Sequence, residues 1–195
     1  MPDYLTNTIG VFRFMEDLQK QIDELKKTVS MLQKNSAKDK ISMVVFSGDL
    51  DKILASFVIA TGAAAMGTEV SMFFTFWGTA ALRDPKKQVK GKNLISKMFG
   101  IMLPCGFDKT VLSKMHMGGM GTGMMKWLMK KKKIASVSEM LKIAEESDVK
   151  ITICEMSMDL MGMKRDEMID YNNLQYAGVA KFMEDSLESK TTLFI

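Results

Sequence analysis

The apolar residues Met15, Leu18, Ile22, Leu25, Val29 and Leu32 are spaced 3-4-3-4-3. Charged and amide residues fill the gaps, so the spacing predicts an amphipathic, coiled-coil-like helix over about residues 11–34. Such a helix is roughly 35 Å long at ~1.5 Å per residue. The polar segment "NSAKDK" (35–40) then reads as a linker. From residue 41 the pattern changes. "ISMVVF" is a mostly apolar, β-branched run that predicts a buried strand, and "SGD" breaks it. Asp49 or Asp51 is placed to cap the next helix, "KILASFVIATGAAAMG", which Gly67 stops. "TEVSMFFTF" (68–76) is a second strand. A strand, a helix and a strand in this order form a βαβ unit, which implies parallel strands and a right-handed crossover.

The alternation resumes near the C-terminus. Ser136 or Ser138 caps a helix whose apolar side is Val137, Met140, Leu141 and Ala144. "VKITIC" is a strand and "EMSMDLMG" a turn, with Ser157 expected to cap a short helix at 158–161. "MKRDEMID" reads as a short helix, "VAKFMEDSLES" as a helix and "TTLFI" as a closing strand. The fold class is therefore α/β: a three-layer sandwich with at least four strands and a mainly parallel sheet, preceded by the N-terminal helix. The expected organisation is 1–40 for helix and linker and 41–195 for the α/β domain. Residues 77–133 interrupt the rhythm. They begin with "WGTAALRDPKKQVKGKN", a polar loop or short helix, and hold eight of the 21 methionines between Met98 and Met129. A segment this long exceeds an ordinary connector and suggests a lid or partner surface.

Composition adds limits. A 195-residue chain that is 47% hydrophobic supports one domain with a real core. No apolar run reaches the ~18–20 residues of a membrane helix, and "MPDYLTNTIG" lacks a basic region followed by an apolar one. Two cysteines do not make a disulfide framework, so a reducing, cytoplasmic setting is expected. The net charge of +4 is uneven: Arg83 to Lys133 carries a balance of +11, the remainder −7. This predicts a basic face suited to anions or an acidic protein. Few aromatics accompany the lysines, so no nucleic-acid platform is expected.

In open parallel sheets, sites form at the carboxyl ends of strands. Three features fall there: "SGD" (Ser47, Gly48, Asp49), "FWG" (with Trp77) and "CEMSMD" (with Cys154 and Ser157). A helix starting near Ser157 would favour the Cys154 thiolate. On spacing alone, Cys154 is a small core residue, half of a redox pair, or a nucleophile. Cys105, in "MLPCGFDK", lies 49 residues away and forms no CxxC motif. With His116 as the single histidine, no ligand pair has metal-site spacing, so no metal or cofactor is expected. "GGMGTG" lacks a preceding strand and a P-loop lysine–serine pair, which argues against nucleotide binding.

Four segments carry a resemblance: "VVFSGDLDKILASFVIATGAAAMGTEVSMFFTFWG", "MLPCG", "SKMHMGGMGTGMM" and "ICEMSMDLMGMKRDEMID". In this order they resemble the DsrE/DsrF-like family, most nearly its DsrE/DsrF/DrsH-like, "peroxiredoxin-like" branch. The resemblance runs from about residue 41 to the C-terminus and leaves the 11–34 helix outside. It implies a small α/β fold with a mainly parallel sheet, assembled into oligomers. It also implies a strand-end cysteine that carries sulfane sulfur as a persulfide or thiosulfonate and exchanges it with TusA-type carriers or rhodaneses. By position that cysteine is Cys154, and Cys105 matches a second one. The leading expectation is a sulfur-trafficking protein, with Ser47, Gly48, Asp49, Trp77 and Ser157 around the site. The alternatives are a thiol-disulfide or peroxide-reducing protein using both cysteines, and a non-enzymatic oligomeric scaffold. Membrane-surface contact is not expected.

Overall fold

The computed structural model describes residues 3–35, 37–87 and 94–195. It falls into two compact units, Met1–Ala37 and Lys38–Ile195. The first holds one long helix, α1 (Asp3–Asn35). On it the expected seam residues Met15, Leu18, Ile22, Leu25 and Val29 are all exposed. The side chain of Leu32 lies outside the described residues.

The second unit is built on five strands: β1 (Lys38–Val45), β2 (Glu69–Phe74), β3 (Lys150–Cys154), β4 (Leu174–Ala177) and β5 (Ser189–Phe194). They lie in the order β4-β3-β2-β1-β5, and every pairing is parallel. β1 starts within the expected linker, and β4 arises from "YNNLQYAG", where no strand was expected. Its four residues are too few to show a period.

Alternation along the strands divides the sheet into two unlike faces. One face presents Met43, Val45, Met72, Phe74, Ile151 and Ile153. These pack in the main core with α2 (Leu50–Ala65) and α6 (Val137–Glu146) through residues such as Ile53, Phe57, Ala60 and Ala144. The other face buries Lys40, Ser42, Ser71 and Thr152. It is covered by α8 (Val179–Glu188), where Phe182 lies 5.6 Å from the Phe73 ring. α8 also brings Asp185 into the polar layer. Its carboxylate accepts from Lys40 Nζ at 2.6 Å and from Ser71 Oγ at 3.0 Å. The three layers of the sandwich are thus apolar on one side of the sheet and partly ionic on the other.

Local sequence explains the element ends. At Ser136 a capping box forms: Glu139 N–H donates to Ser136 Oγ, and Ser136 N–H donates to the Glu139 carboxylate at 2.7 Å. Asp49 occupies the N-cap of α2, but its carboxylate accepts from Ser47 Oγ at 2.9 Å rather than from the helix. Asp51 accepts from Ser113 N–H and Oγ at 2.8 and 2.7 Å, tying the long insertion to α2. Gly67, with φ of +81°, provides the left-handed step after α2.

The insertion is more ordered than a loop. Its first segment contains α3 (Trp77–Ala81), whose Gly78, Thr79, Ala80 and Ala81 are buried. Small residues let this short helix, one of the two forms expected there, press against β1, so Gly78–Ala81 are core while Trp77 stays exposed. Residues 88–93 of that segment lie outside the described residues. α4 (Leu94–Met102) and α5 (Met120–Lys131) follow. Beyond them are α7 (Glu155–Met161) and a single 3-10 turn at Arg165–Glu167, where a short helix was expected. No helix among the described residues is long and apolar enough to cross a membrane.

Candidate functional site

β3 ends at Cys154, which is itself the N-cap residue of α7. This differs from the expected start at Ser157. Helical geometry begins three residues earlier, so Ser157 sits inside the first turn and its hydroxyl points back toward the strand ends. Cys154 is 2% exposed. The register pairs Phe74 with Ile153, so Thr75 lies beside Cys154 on the same face as Thr152.

The Sγ environment favours the anion. Burial pushes the Cys154 thiol up. The Ser157 hydroxyl and N–H, the Thr75 hydroxyl and the Met156 N–H are the donors beside the sulfur, and their influence brings it below its ordinary value. Ser157 is fully buried. Its Oγ accepts from Phe76 N–H at 2.9 Å and lies 3.0 Å from Thr75 Oγ1. A hydroxyl has one proton and two acceptor positions, so Ser157 accepting from both Phe76 N–H and Thr75 Oγ1 directs its own proton to Sγ, and the reverse Thr75–Ser157 bond directs the Thr75 proton there instead. The same bond fixes Phe76, whose φ of +49° is a left-handed conformation that non-glycine residues rarely adopt. Phe76 stacks on Phe46 at 5.4 Å and meets Trp77 edge-on at 4.8 Å.

Four of the expected site residues come together. Ser47, Gly48, Asp49 and Trp77 line one cleft of about 470 Å³, joined by Ile101, Met102 and Pro104. Neither Cys154 nor Ser157 is among its lining residues. The strand-end features therefore separate into a buried thiol with its hydroxyl donors and an open cleft one strand over, linked through Phe76 and Trp77. Cys105 is half-buried directly after Pro104 and, like Cys154, carries a free thiol. The Gly106 that follows has φ of +83° and lies so close to Pro85 that an added Cβ would meet its Cγ at 2.8 Å.

Thr75 and the Met156 N–H were not expected from the sequence. Thr75 is one hydroxyl among many, and its proximity to Cys154 depends on the β2–β3 register. His116 engages Thr122 Oγ1 at 3.0 Å. Among the described residues no group of three or more His, Cys, Asp and Glu side chains is arranged to hold a metal ion.

Residues 37–194 match the DsrE/DsrF/DrsH-like family, and the chain belongs to it. The chain is 44% identical over 156 residues to "Uncharacterized protein YrkE" of Bacillus subtilis (strain 168), covering 80% of this chain and 96% of that protein. It is 38% identical over 160 residues to "Sulfur carrier protein DsrE2" of Allochromatium vinosum, covering 80% and 98%. The crystal structure of the ychN protein from E. coli aligns over 82% of this chain and 100% of its own, with a TM-score of 0.48 and 10% identity.

Proposed function

We propose that this protein is a sulfur carrier that holds sulfane sulfur on Cys154 and passes it to partner carriers. The observation that carries the reading is the place of Cys154 at the end of β3 and the N-cap of α7, beside the Ser157 and Thr75 hydroxyls. Membership of the DsrE/DsrF/DrsH-like family and the named sulfur-carrier relative support it. The Cys154 thiolate attacks the outer sulfur of a persulfide donor. The donor S–S bond breaks and its electron pair leaves with the donor thiolate, while a new S–S bond forms on Cys154. The exchange is redox-neutral, and an acceptor thiolate removes the sulfur by the same step in reverse. Anionic donors and acidic partners of the TusA or rhodanese type suit the basic segment from Arg83 to Lys133, and Cys105 assists transfer beside the cleft.

Incubation with thiosulfate, tetrathionate or polysulfide, read by intact mass with and without reductant, tests this. Wild type gains reductant-removable sulfur, Cys154→Ser loses most of it and Cys105→Ser retains it in part. Loading of Cys154→Ser equal to wild type removes Cys154 as the carrier. A disulfide formed without sulfur gain favours the thiol-disulfide reading instead. Alkylation gives the pH sign. A thiol held below its ordinary value deprotonates at lower pH than a free one, so its alkylation rate rises and levels off at lower pH than that of a free cysteine. Ser157→Ala removes a donor and shifts that profile upward; an unshifted profile rules out the hydroxyl as its cause.

The seam of α1 fits a second copy of the same helix, because five apolar residues at heptad spacing are exposed on it. Removal of residues 1–36 is expected to lower the oligomer mass in solution. An unchanged mass excludes assembly through this helix.

A further inference from the structure

A second and larger cleft, of about 780 Å³, lies between the end of α5, the loop 132–136 and α6. Neither cysteine lines it, and it shares with the carrier reading only Lys126, Lys130 and Lys133 of the basic segment. Its volume falls within the ~300–1,000 Å³ typical of sites for small organic ligands. Phe107, Met129 and Val137, all buried, form its inner wall, and Ile134 and Ile143 extend the apolar surface outward. Lys130, Lys133 and Lys142 stand around it, all exposed. None of these three is in an ion pair among the described residues.

The carboxylates in the lining are Asp108, Glu139 and Glu146. Glu139 accepts from Ser136 N–H and Oγ at 2.7 and 2.8 Å, which holds it at the helix start. A fourth lysine, Lys126, is already engaged: its Nζ donates to the Asp108 and Thr110 carbonyls at 2.6 and 3.3 Å. These bonds fix α5 against the 3-10 turn Phe107–Lys109 and so hold the cleft wall in place. Lys133 has φ of +55°, a left-handed step that ends α5 and turns the chain toward Ile134. The arrangement is a fixed apolar wall with lysines in excess of carboxylates at its mouth: Lys142 stands near enough to Glu139 to favour that carboxylate's charge, while Lys130 and Lys133 extend the basic rim.

We propose that this cleft binds a small organic anion: an apolar body lying on Phe107, Ile134 and Ile143, with a sulfonate, phosphate or carboxylate held by Lys130, Lys133 and Lys142. An apolar ligand without charge would leave the ammonium groups unused, and inorganic anions would leave the wall unfilled. The two features together select an amphipathic molecule. The site stands apart from Cys154, so it is testable whether or not sulfur loads there.

The probes are 8-anilinonaphthalene-1-sulfonate and its uncharged counterpart N-phenyl-1-naphthylamine, titrated into the full chain and read by fluorescence and calorimetry. The sulfonate is expected to bind saturably at one site per chain and at least about tenfold tighter than the neutral dye, since a charge-assisted contact is worth about that factor. Lys133→Gln with Lys142→Gln is expected to weaken the sulfonate ~10-fold or more and to leave the neutral dye unchanged. Lys131→Gln with Lys132→Gln, neighbours outside the lining, is the control and is expected to change neither. All four positions are exposed, so the variants retain the fold. Equal affinity for the two dyes, absence of a saturable site, or equal weakening by both lysine pairs would overturn the proposal. Binding of a polyglutamate peptide in place of the sulfonate would also overturn it, since the cleft would then take an acidic chain.

Discussion

Asp185→Ala is expected to destabilise the domain by about 3 kcal/mol, measured by urea denaturation. Lys40 is 3% exposed, and Asp185 is its nearest carboxylate at 2.6 Å. Removing one partner of a buried pair leaves an uncompensated charge, which costs roughly 3–5 kcal/mol. The lower end applies here because Glu188 and Glu69 remain at 3.5 and 3.9 Å from Lys40 Nζ. Replacing the pair together, with Lys40→Met and Asp185→Leu, is expected to recover much of the loss, since no charge is then left unpaired.

The pair also sets an acid limit. Burial pushes the Asp185 carboxyl up, but the bonds from Lys40 and Ser71 outweigh this and hold it below its ordinary value. A group depressed in the folded state contributes stability that is fully present above its unfolded value, about 3.9, and lost as pH falls through the folded one. Wild type is therefore expected to lose stability in the acid range below about pH 4, and Asp185→Asn to flatten that limb. A cost under 1 kcal/mol for Asp185→Ala, with an unchanged acid limb, would show that the polar layer contributes no net stability.

Gly78→Ala is expected to cost about 1–3 kcal/mol or more through overpacking. A Cβ there would lie 2.3 Å from the Val45 carbonyl oxygen, and the obstacle is backbone, which cannot rotate away. α3 would have to lift from β1. Gly48, whose own Cβ would lie 2.8 Å from the Trp77 carbonyl oxygen, would move with it. The cleft of Ser47, Gly48, Asp49 and Trp77 would then change shape, so slower sulfur loading is expected along with a lower denaturation midpoint. Gly62→Ala is the contrasting substitution. It lies on α2 with nothing within 4 Å of an added Cβ. It is expected to stabilise by about 0.4–1 kcal/mol, by reducing the freedom of the unfolded chain. Equal midpoints for the two variants would contradict the packing argument.

Much of the architecture was legible in the sequence because its signals are local. The seam from Met15 to Val29, the apolar run before Ser47, the Ser136–Glu139 capping box and the stop at Gly67 each act within a few residues. The β-branched, apolar character of 41–46 and 149–154 marked strands buried on both faces, which is how a parallel sheet reads. α3 was harder, since its burial comes from glycine and alanine fitting under neighbouring backbone rather than from apolar periodicity. β4 was invisible because four residues, three half-buried and Gln175 exposed, are held as a strand by pairing with β3.

Local pattern alone marks Cys154 as the end of a strand that a short helix follows. It also placed Ser47, Gly48, Asp49 and Trp77 near strand ends, where open sheets form clefts. Which hydroxyls come beside the sulfur depends on long-range packing. Thr75 is 79 positions earlier in the chain and meets Cys154 through the β2–β3 register, and Ser157 turns inward because α7 begins at Cys154 itself. Packing likewise decided that the buried thiol and the open cleft are separate spaces joined by Phe76 and Trp77. The physical reason is range: propensity and periodicity act between near neighbours, whereas a hydrogen bond to Sγ requires atoms about 3.5 Å apart that only strand pairing and helix packing bring together.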